Sequence, residues 1–160
     1  GESKFNSGLL SAVGGASKNG IRFINFDDYR KLMQINFDDI AWIKIDVEGF
    51  ELNVLKGMED TLLNSKPIVE IELNPNTMIL SNETFNDYLN YFSKFEYVPL
   101  KPKDYALNDS DSKLFGIDLL FVKGHLISLI KDYFDYESFS EKDILNCHKL
   151  YKKLFFNKSI

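Results

Sequence analysis

The stretch AWIKIDVEGFELNVLKGMEDTLLNSKPIVEIEL, residues 41–73, contains two apolar runs separated by a segment with helical periodicity. Residues 41–46 are apolar except for Lys44, which predicts a mostly buried strand. From Gly49 the apolar residues recur three to four positions apart, which predicts an amphipathic helix ending near Asn64. A second strand follows over residues 67–73, with Pro67 at its start, where it costs no ladder bond. This order predicts a strand-helix-strand unit with parallel strands.

The segments on either side extend this pattern. Upstream, the first twenty residues are rich in Gly, Ser and Asn and predict a loop, and residues 21–25 predict a short strand. A brief helix capped by Asp27 or Asp28 should follow. Downstream, residues 81–95 predict a helix capped by Ser81 or Asn82, and residues 95–100 predict a strand.

The last third of the chain begins with a polar segment, residues 101–113, which predicts a loop. Residues 116–123 predict a strand, and its short, helix-free connection to the preceding strand favours antiparallel pairing at a sheet edge. Helices are predicted over residues 126–133 and 141–156. The predicted fold class is therefore α/β, with a mainly parallel sheet covered on both faces and a terminal antiparallel strand.

Composition narrows the class of protein. The chain has 160 residues, 44% of them hydrophobic, which is typical of a globular domain with a real core. Its net charge of -5 disfavours nucleic acid as a partner. Cys147 is the only cysteine, so no intrachain disulfide can form and a reducing cytoplasm suits the chain. Because no apolar run is long enough to cross a bilayer, we expect a soluble, cytoplasmic protein without membrane contact.

Polar side chains follow both predicted parallel strands. Asp46 and Glu48 come after the first strand, and Glu72 and Asn74 end the second. In open α/β sheets, ligands bind outside the carboxyl ends of the strands, so these four residues are candidates for a site. A purely structural explanation remains open, because carboxylates near the start of a helix also stabilise its positive end.

Two further interpretations of these side chains are open. Asp46, Glu72 and Asn74 supply the oxygen ligands that Mg²⁺ prefers, although their spacing permits such a site without being diagnostic of it. Glu70 lies on the same face as Glu72 and needs a partner if it is buried. An aromatic cluster can be read as a stacking platform, but its helical spacing favours a place in the core: Phe85, Tyr88, Tyr91, Phe92, Phe95 and Tyr97.

The central stretch resembles the signature of the FkbM-type methyltransferases, which use S-adenosylmethionine. In that family a strand ending Asp-x-Glu-Gly-x-Glu leads into a helix and then into a Pro-initiated strand ending in Glu. The upstream segment FNSGLLS and the closing strand DLLFVKG are also similar. The matching residues are Ile43, Lys44, Ile45, Asp46, Glu48, Gly49, Glu51, Leu55, Lys56, Gly57, Pro67, Ile71 and Glu72.

The resemblance implies a Rossmann-like class I methyltransferase sheet, with S-adenosylmethionine as cofactor and a sugar or small-molecule hydroxyl as acceptor. It implies that Asp46 serves catalysis and the cofactor pocket, and that Glu48 contacts or deprotonates the acceptor. Gly49 would lie against the cofactor, and Glu72 with Asn74 would bind the substrate. No metal is assigned. The alternative is a non-catalytic α/β remnant or interaction module that lacks cofactor binding.

The sequence departs from the family pattern upstream. Members begin with a strand ending in an acidic, Gly-rich turn, and a second strand ends in an acid that holds the cofactor's ribose. The segment AVGGASKNG has glycines but no apolar strand before it. The resemblance therefore covers the C-terminal half of the domain, with residues 1–123 as that half and residues 124–160 as a helical extension. We expect the missing half to come from a longer natural chain or from another polypeptide, including a second copy.

Overall fold

The computed structural model describes residues 24–103, 117–143 and 146, and the account below concerns those residues. Single 3₁₀ turns lie at Phe37–Asp39 and Gly124–Leu126. In chain order the other elements are α1 (Phe26–Met33), β1 (Trp42–Ile45), α2 (Glu51–Lys56), α3 (Glu59–Asn64), β2 (Ile68–Leu73), α4 (Pro75–Leu80), α5 (Phe85–Ser93), β3 (Tyr97–Pro102), β4 (Ile117–Lys123), α6 (Ile127–Tyr133) and β5 (Tyr136–Ser138).

The five strands form one sheet in the order β1-β2-β4-β3-β5, so the fold is α/β as predicted. β1 and β2 are parallel neighbours joined through α2 and α3, which confirms the predicted strand-helix-strand unit. The other three pairs, β2 with β4, β3 with β4, and β3 with β5, are antiparallel. The prediction of a mainly parallel sheet therefore holds only in part: β1, β2 and β3 run in the same direction, but most neighbouring pairs among the described strands are antiparallel.

The mixed topology arises from the position of β4. Its antiparallel pairing with β3 was predicted, but β4 lies between β2 and β3 and not at the sheet edge. The physical reason is that Leu119, Leu120, Phe121 and Val122 are all fully buried, which an edge position facing solvent would not allow. A continuous apolar run of this kind is typical of a strand covered on both faces.

Apolar side chains cover both faces of the sheet, as predicted. The larger cluster packs α2, α3, α4 and α5 against residues such as Ile45, Ile71 and Phe121. The smaller cluster packs Ile130 of α6 on Leu100 and Leu120 on the opposite face. All six residues of the aromatic cluster are buried, which confirms that they belong to the core.

The single helix predicted from Gly49 to Asn64 is two helices, α2 and α3, with a break at Gly57 and Met58. Helix α1 lies against this break: the Asp27 amide donates to the Gly57 carbonyl over 3.0 Å. A Cβ on Gly57 would lie only 3.0 Å from the Cβ of Asn25, so glycine permits the close approach. The break therefore accommodates α1, a contact that local periodicity does not reveal.

The predicted helix caps are also corrected. Asn25, not Asp27 or Asp28, caps α1, and its side chain accepts from the Asp28 amide. Thr84, not Ser81 or Asn82, caps α5 and forms a reciprocal capping box with Asp87. In both cases several residues able to cap lie within four positions, and the observed cap is the one whose side chain accepts from the backbone amide three residues further on.

Several predicted elements lie partly or wholly outside the described residues. These are the N-terminal loop, most of the 21–25 strand, most of the 101–113 loop and most of the 141–156 helix. Ile24 and Asn25, which are described, are not in a strand. α4 and β5 were not predicted. Within the described ranges no helix has the length and apolarity needed to cross a bilayer.

Candidate functional site

The turn after β1 carries two of the candidate residues. β1 ends at Ile45, and α2 begins at Glu51. Asp46 and Glu48 in the intervening turn are exposed. Glu48 has a φ of 53°, a left-handed conformation that is unusual for a residue with a side chain. Such conformations persist where the surrounding structure fixes them, and they concentrate at functional sites.

Gly49 continues this left-handed turn with a φ of 96°. A Cβ at this position would lie 3.1 Å from both the Cβ and the carbonyl oxygen of Thr77. Because conformation and space both restrict the position, any other residue would be strained. The contact with Thr77 places the turn after β1 directly against α4, which follows β2.

Four carboxylates meet at this end of the sheet: Asp46, Glu48, Glu72 and Asp118, here called the strand-end carboxylates. Partial burial raises the pKa of Glu72, and the charges of Asp46, Asp118 and Glu48 raise it further. Asp118 lies directly across from Glu72 in the register of β2 and β4. Local sequence does not point to Asp118, because its pairing with Glu72 is known only once β4 is placed inside the sheet.

Lys44 lies on the same face of the sheet as Glu72 and pairs with Glu70, two residues before Glu72 on β2. Its ammonium group contacts Glu70 at 3.0 Å and Asp118 at 3.2 Å. The hydrogen bonds to Glu70 and then Asp118 raise the pKa of Lys44. Glu70 also accepts from the Trp42 indole over 3.1 Å. The partners of Glu70, which sequence patterns do not identify, are therefore Trp42 and Lys44 of β1.

Asn74 occupies the end of β2 but uses its side-chain oxygen locally. That oxygen accepts from the Asn76 amide over 3.0 Å and caps α4. The Thr77 hydroxyl donates to the Asn74 carbonyl over 3.0 Å. Asn74 therefore shapes the turn that contacts Gly49, whatever it does toward a substrate.

A buried network lies behind the turn. The Glu51 carboxylate accepts from the Gly49 amide over 2.9 Å and from the Tyr88 hydroxyl over 3.3 Å. Tyr88 also lies 2.6 Å from Glu83. Burial raises the pKa of Glu83, and the Glu51 charge contributes to the rise while the bond from Tyr88 opposes it. Burial also raises the pKa of Tyr88, as do both carboxylates.

In the part of the chain that the structure describes, no group of three or more His, Cys, Asp or Glu side chains is arranged to hold a metal ion. The strand-end carboxylates are therefore near one another without forming such a cage. Asp46, Glu48 and Glu72 bring negative charge to the carboxyl ends of the parallel strands β1 and β2, and Asp118 adds to it from the start of the antiparallel strand β4.

Comparison with known proteins bears on the same segment. The family model described as the methyltransferase FkbM domain matches residues 21–99, which include β1, β2 and the turn between β1 and α2. No curated protein and no solved structure matches the chain. The match confirms the resemblance carried by residues 43–72: residues 21–99 are similar to the methyltransferase FkbM domain.

Proposed function

We propose that the chain forms part of a methyltransferase that uses S-adenosylmethionine to methylate a hydroxyl oxygen of a sugar or small molecule. The supporting observation is the meeting of Asp46, Glu48 and Glu72 at the ends of two adjacent parallel strands. This is where open α/β sheets bind ligands. The proposed sheet is of the Rossmann-like class I type, with β4 as its inserted antiparallel strand.

The chemistry of the strand-end carboxylates fits this cofactor. When bound, S-adenosylmethionine supplies an electrophilic methyl group on a positively charged sulfur. Partial burial raises the pKa of Glu72 and the neighbouring carboxylates raise it further, so a cation bound beside them would relieve their mutual repulsion. Asp46 and Gly49 are the residues that would hold the cofactor: Asp46 brings negative charge, and Gly49 allows close approach of the backbone.

We assign binding and deprotonation of the acceptor to Glu48, Glu72 and Asn74. Methyl transfer needs the acceptor oxygen aligned with the methyl carbon, so much of the catalysis is positioning. A hydroxyl acceptor also loses a proton, and Glu48 is exposed in the turn, where it can receive that proton. Glu72 and Asn74 would orient the acceptor from the neighbouring strand end.

The outer edge of β1 bears on the proposed partner. β1 is the first strand in the sheet order, so among the described residues only β2 is paired with it. Trp42 is exposed on this strand. We propose that further strands, from a longer chain or from a second copy, complete the sheet beside β1, because unpaired edges are otherwise prone to association.

Titration of S-adenosylhomocysteine by calorimetry, with a melting curve alongside, tests the cofactor proposal. Ligand at 100 times its dissociation constant should add about 2.7 kcal/mol of stability. Asp46→Asn should weaken binding, whereas Asp28→Asn, an exposed carboxylate on α1, should not. The remnant alternative predicts no binding even by a protein in which the sheet is complete.

A further inference from the structure

We propose that Glu51 is a positioning residue, whose buried carboxylate fixes the turn carrying Asp46 and Glu48 and is itself held by Tyr88. What the turn then does in catalysis rests on the proposed function. The bracing of the turn does not, and the experiment below measures it separately.

The contacts of Glu51 connect three parts of the fold. One carboxylate oxygen accepts from the Gly49 amide within the turn, at 2.9 Å. The other accepts from the Tyr88 hydroxyl of α5, at 3.3 Å, and the same hydroxyl also lies 2.6 Å from Glu83. Glu51 is 2% exposed and Tyr88 is fully buried, so solvent does not compete for these bonds. The turn is thereby connected to α5 through Tyr88, which lies 37 residues after Glu51 in the chain.

The turn has an intrinsic need for such a brace. Glu48 and Gly49 are both left-handed, with φ of 53° and 96°, and a run of two such residues is not a conformation that the backbone keeps by itself. Thr77 limits the turn on one side through its contact at Gly49. Glu51 fixes it from the other side, because the hydrogen bond determines where the Gly49 amide points.

Helix stability alone does not explain the arrangement. A glutamate in the first turn of a helix stabilises the helix equally well from an exposed position. A buried carboxylate is costly unless its oxygens are satisfied, and both oxygens of Glu51 bond to groups outside the regular hydrogen bonds of α2. The burial of Glu51 is explained if its carboxylate stabilises the turn.

Four variants separate bracing from general stabilisation. Glu51→Ala removes both bonds, and Glu51→Gln keeps an acceptor for Gly49 while offering a donor to the Tyr88 oxygen. Tyr88→Phe keeps the bond from Gly49 and removes the bond from Tyr88 to Glu51, together with the 2.6 Å bond from Tyr88 to Glu83. Tyr91→Phe is the matched control, because Tyr91 lies on the same helix, is also buried and bonds Glu59 over 3.1 Å, away from the turn.

Two NMR measurements report on the turn. The first is hydrogen exchange at the Gly49 amide, normalised to global unfolding. The second is the titration midpoint of Glu72, whose pKa is raised in part by the charges of Asp46 and Glu48 and so reports their position. We expect Glu51→Ala to accelerate Gly49 exchange about tenfold or more and to lower the Glu72 midpoint. Tyr88→Phe should give the same changes, about threefold for exchange, and Glu51→Gln should restore the wild-type values.

The inference is overturned if Tyr88→Phe and Glu51→Ala lower stability but leave both readouts as they are in Tyr91→Phe. It is also overturned if Glu51→Gln behaves like Glu51→Ala, since the acceptor would then not matter. Neither readout involves a cofactor. Failure of wild-type protein to bind S-adenosylhomocysteine would therefore count against the proposed function and leave the bracing result intact.

Discussion

Glu72 is partly buried among like charges, so its ionisation should cost stability. Burial and then the charges of Asp46, Asp118 and Glu48 raise the pKa of Glu72 above its ordinary value of 4.5. The folded protein therefore holds this proton more tightly than the unfolded chain. The resulting contribution to stability is full below pH 4.5 and is lost as the pH rises through the raised pKa of the folded state.

Glu72→Gln should accordingly stabilise the protein at pH 7 and have little effect near pH 4. We expect a gain of a few tenths to about 1 kcal/mol, the range for partly exposed charges. Urea denaturation at the two pH values measures it. Asp132→Asn on α6 is the control for net charge, because that carboxylate is exposed. An equal gain from both variants at pH 7 would mean that the strand-end carboxylates are not the source.

Glu48 should lower the stability of the folded protein while it contributes to methyl transfer. A left-handed residue with a side chain costs about 1 kcal/mol or more relative to glycine. Part of this difference is offset by the greater backbone freedom of glycine in the unfolded chain. Glu48→Gly should thus be neutral or stabilising by up to about 1 kcal/mol, while methyl transfer to a hydroxyl acceptor falls. Gln34→Gly is the matched control, with a φ of 56° at the end of α1. It should stabilise similarly and leave transfer unchanged.

Chemical denaturation and a methyl-transfer assay on the three proteins check this expectation. Loss of stability in Glu48→Gly with a gain in Gln34→Gly would contradict it, because the Glu48 side chain would then be stabilising the turn rather than straining it. Transfer at the wild-type rate by Glu48→Gly would remove Glu48 from the mechanism.

The candidate residues differ in how far the sequence could place them. Asp46 and Glu72 could be assigned to strand ends because each closes a short apolar run, a local signal. Lys44 and Asp118 could not be assigned to the same surface, because their contact spans 74 positions and depends on the register of β4. The link from Glu51 to Tyr88 is non-local in the same way.

At the scale of elements, Asp27 provides a cap for a helix other than its own. Its carboxylate accepts from the Asp60 amide at 2.9 Å, the Thr61 amide at 3.1 Å and the Thr61 hydroxyl at 2.6 Å. These are groups at the start of α3, whose own N-cap residue, Met58, has no capping side chain. Asp27 thus satisfies donors that the helix cannot satisfy for itself.

Asp27→Ala should therefore destabilise the protein by about 2 kcal/mol, the cost of leaving buried donors without an acceptor. Asp28→Ala, at the exposed neighbouring position, should change stability by no more than about 0.5 kcal/mol. Urea denaturation of both variants measures the difference. If Asp27→Ala lowers stability no more than Asp28→Ala does, water replaces the Asp27 carboxylate at the start of α3, and the cap does not contribute to stability.

Sustained periodicity predicted the type of most helices and strands correctly. It did not predict where those elements begin and end. The period of three to four runs unbroken through Gly57, so nothing local marked the end of α2. What separates α2 from α3 is the approach of α1, which needs Gly57 and Asp27 together. α4 was missed because its six residues, Pro75–Leu80, are too few to show a period.

At the scale of the whole molecule, Lys101 connects the sheet to the C-terminal segment. Its side chain is 6% exposed and lies 2.5 Å from Glu137 of β5 and 3.9 Å from Asp143. Asp143 in turn accepts from the Ser140 amide over 2.9 Å, and it accepts from the Ser140 hydroxyl over 2.7 Å. The charge of Lys101 therefore holds β5 and the residues after it against β3.

Lys101→Met should loosen this segment without unfolding the sheet. We expect amide exchange in Tyr136–Ser138 to accelerate about tenfold, because a partly buried ion pair loses its buried partner. Exchange in β2 should be unchanged. Lys103→Met is the control, since Lys103 and Asp135 form an exposed pair at 3.7 Å. Equal acceleration in both variants would mean that hydrogen bonding, not the ion pair, holds β5.

The sheet as a whole was predicted in class but not in topology. Local sequence indicated four of the five strands and the parallel pairing of β1 with β2. The placement of β4 depends on which strand must be covered on both faces, and its run of buried apolar residues was the available signal. β5, only three residues long, becomes a strand because β3 offers it an edge and Lys101 holds it there.

The cap that Asp27 places on α3 also has a kinetic meaning. The bond to Asp60 closes a loop of 33 positions, so it forms only after that stretch of chain has been brought together. Contacts of this kind are costly in chain entropy early in folding and tend to form after the transition state. Loss of the Asp27 carboxylate would then appear mainly as faster unfolding, with the refolding rate nearly unchanged. The side chain that completes α3 would thus prolong the lifetime of the folded protein more than it hastens its formation.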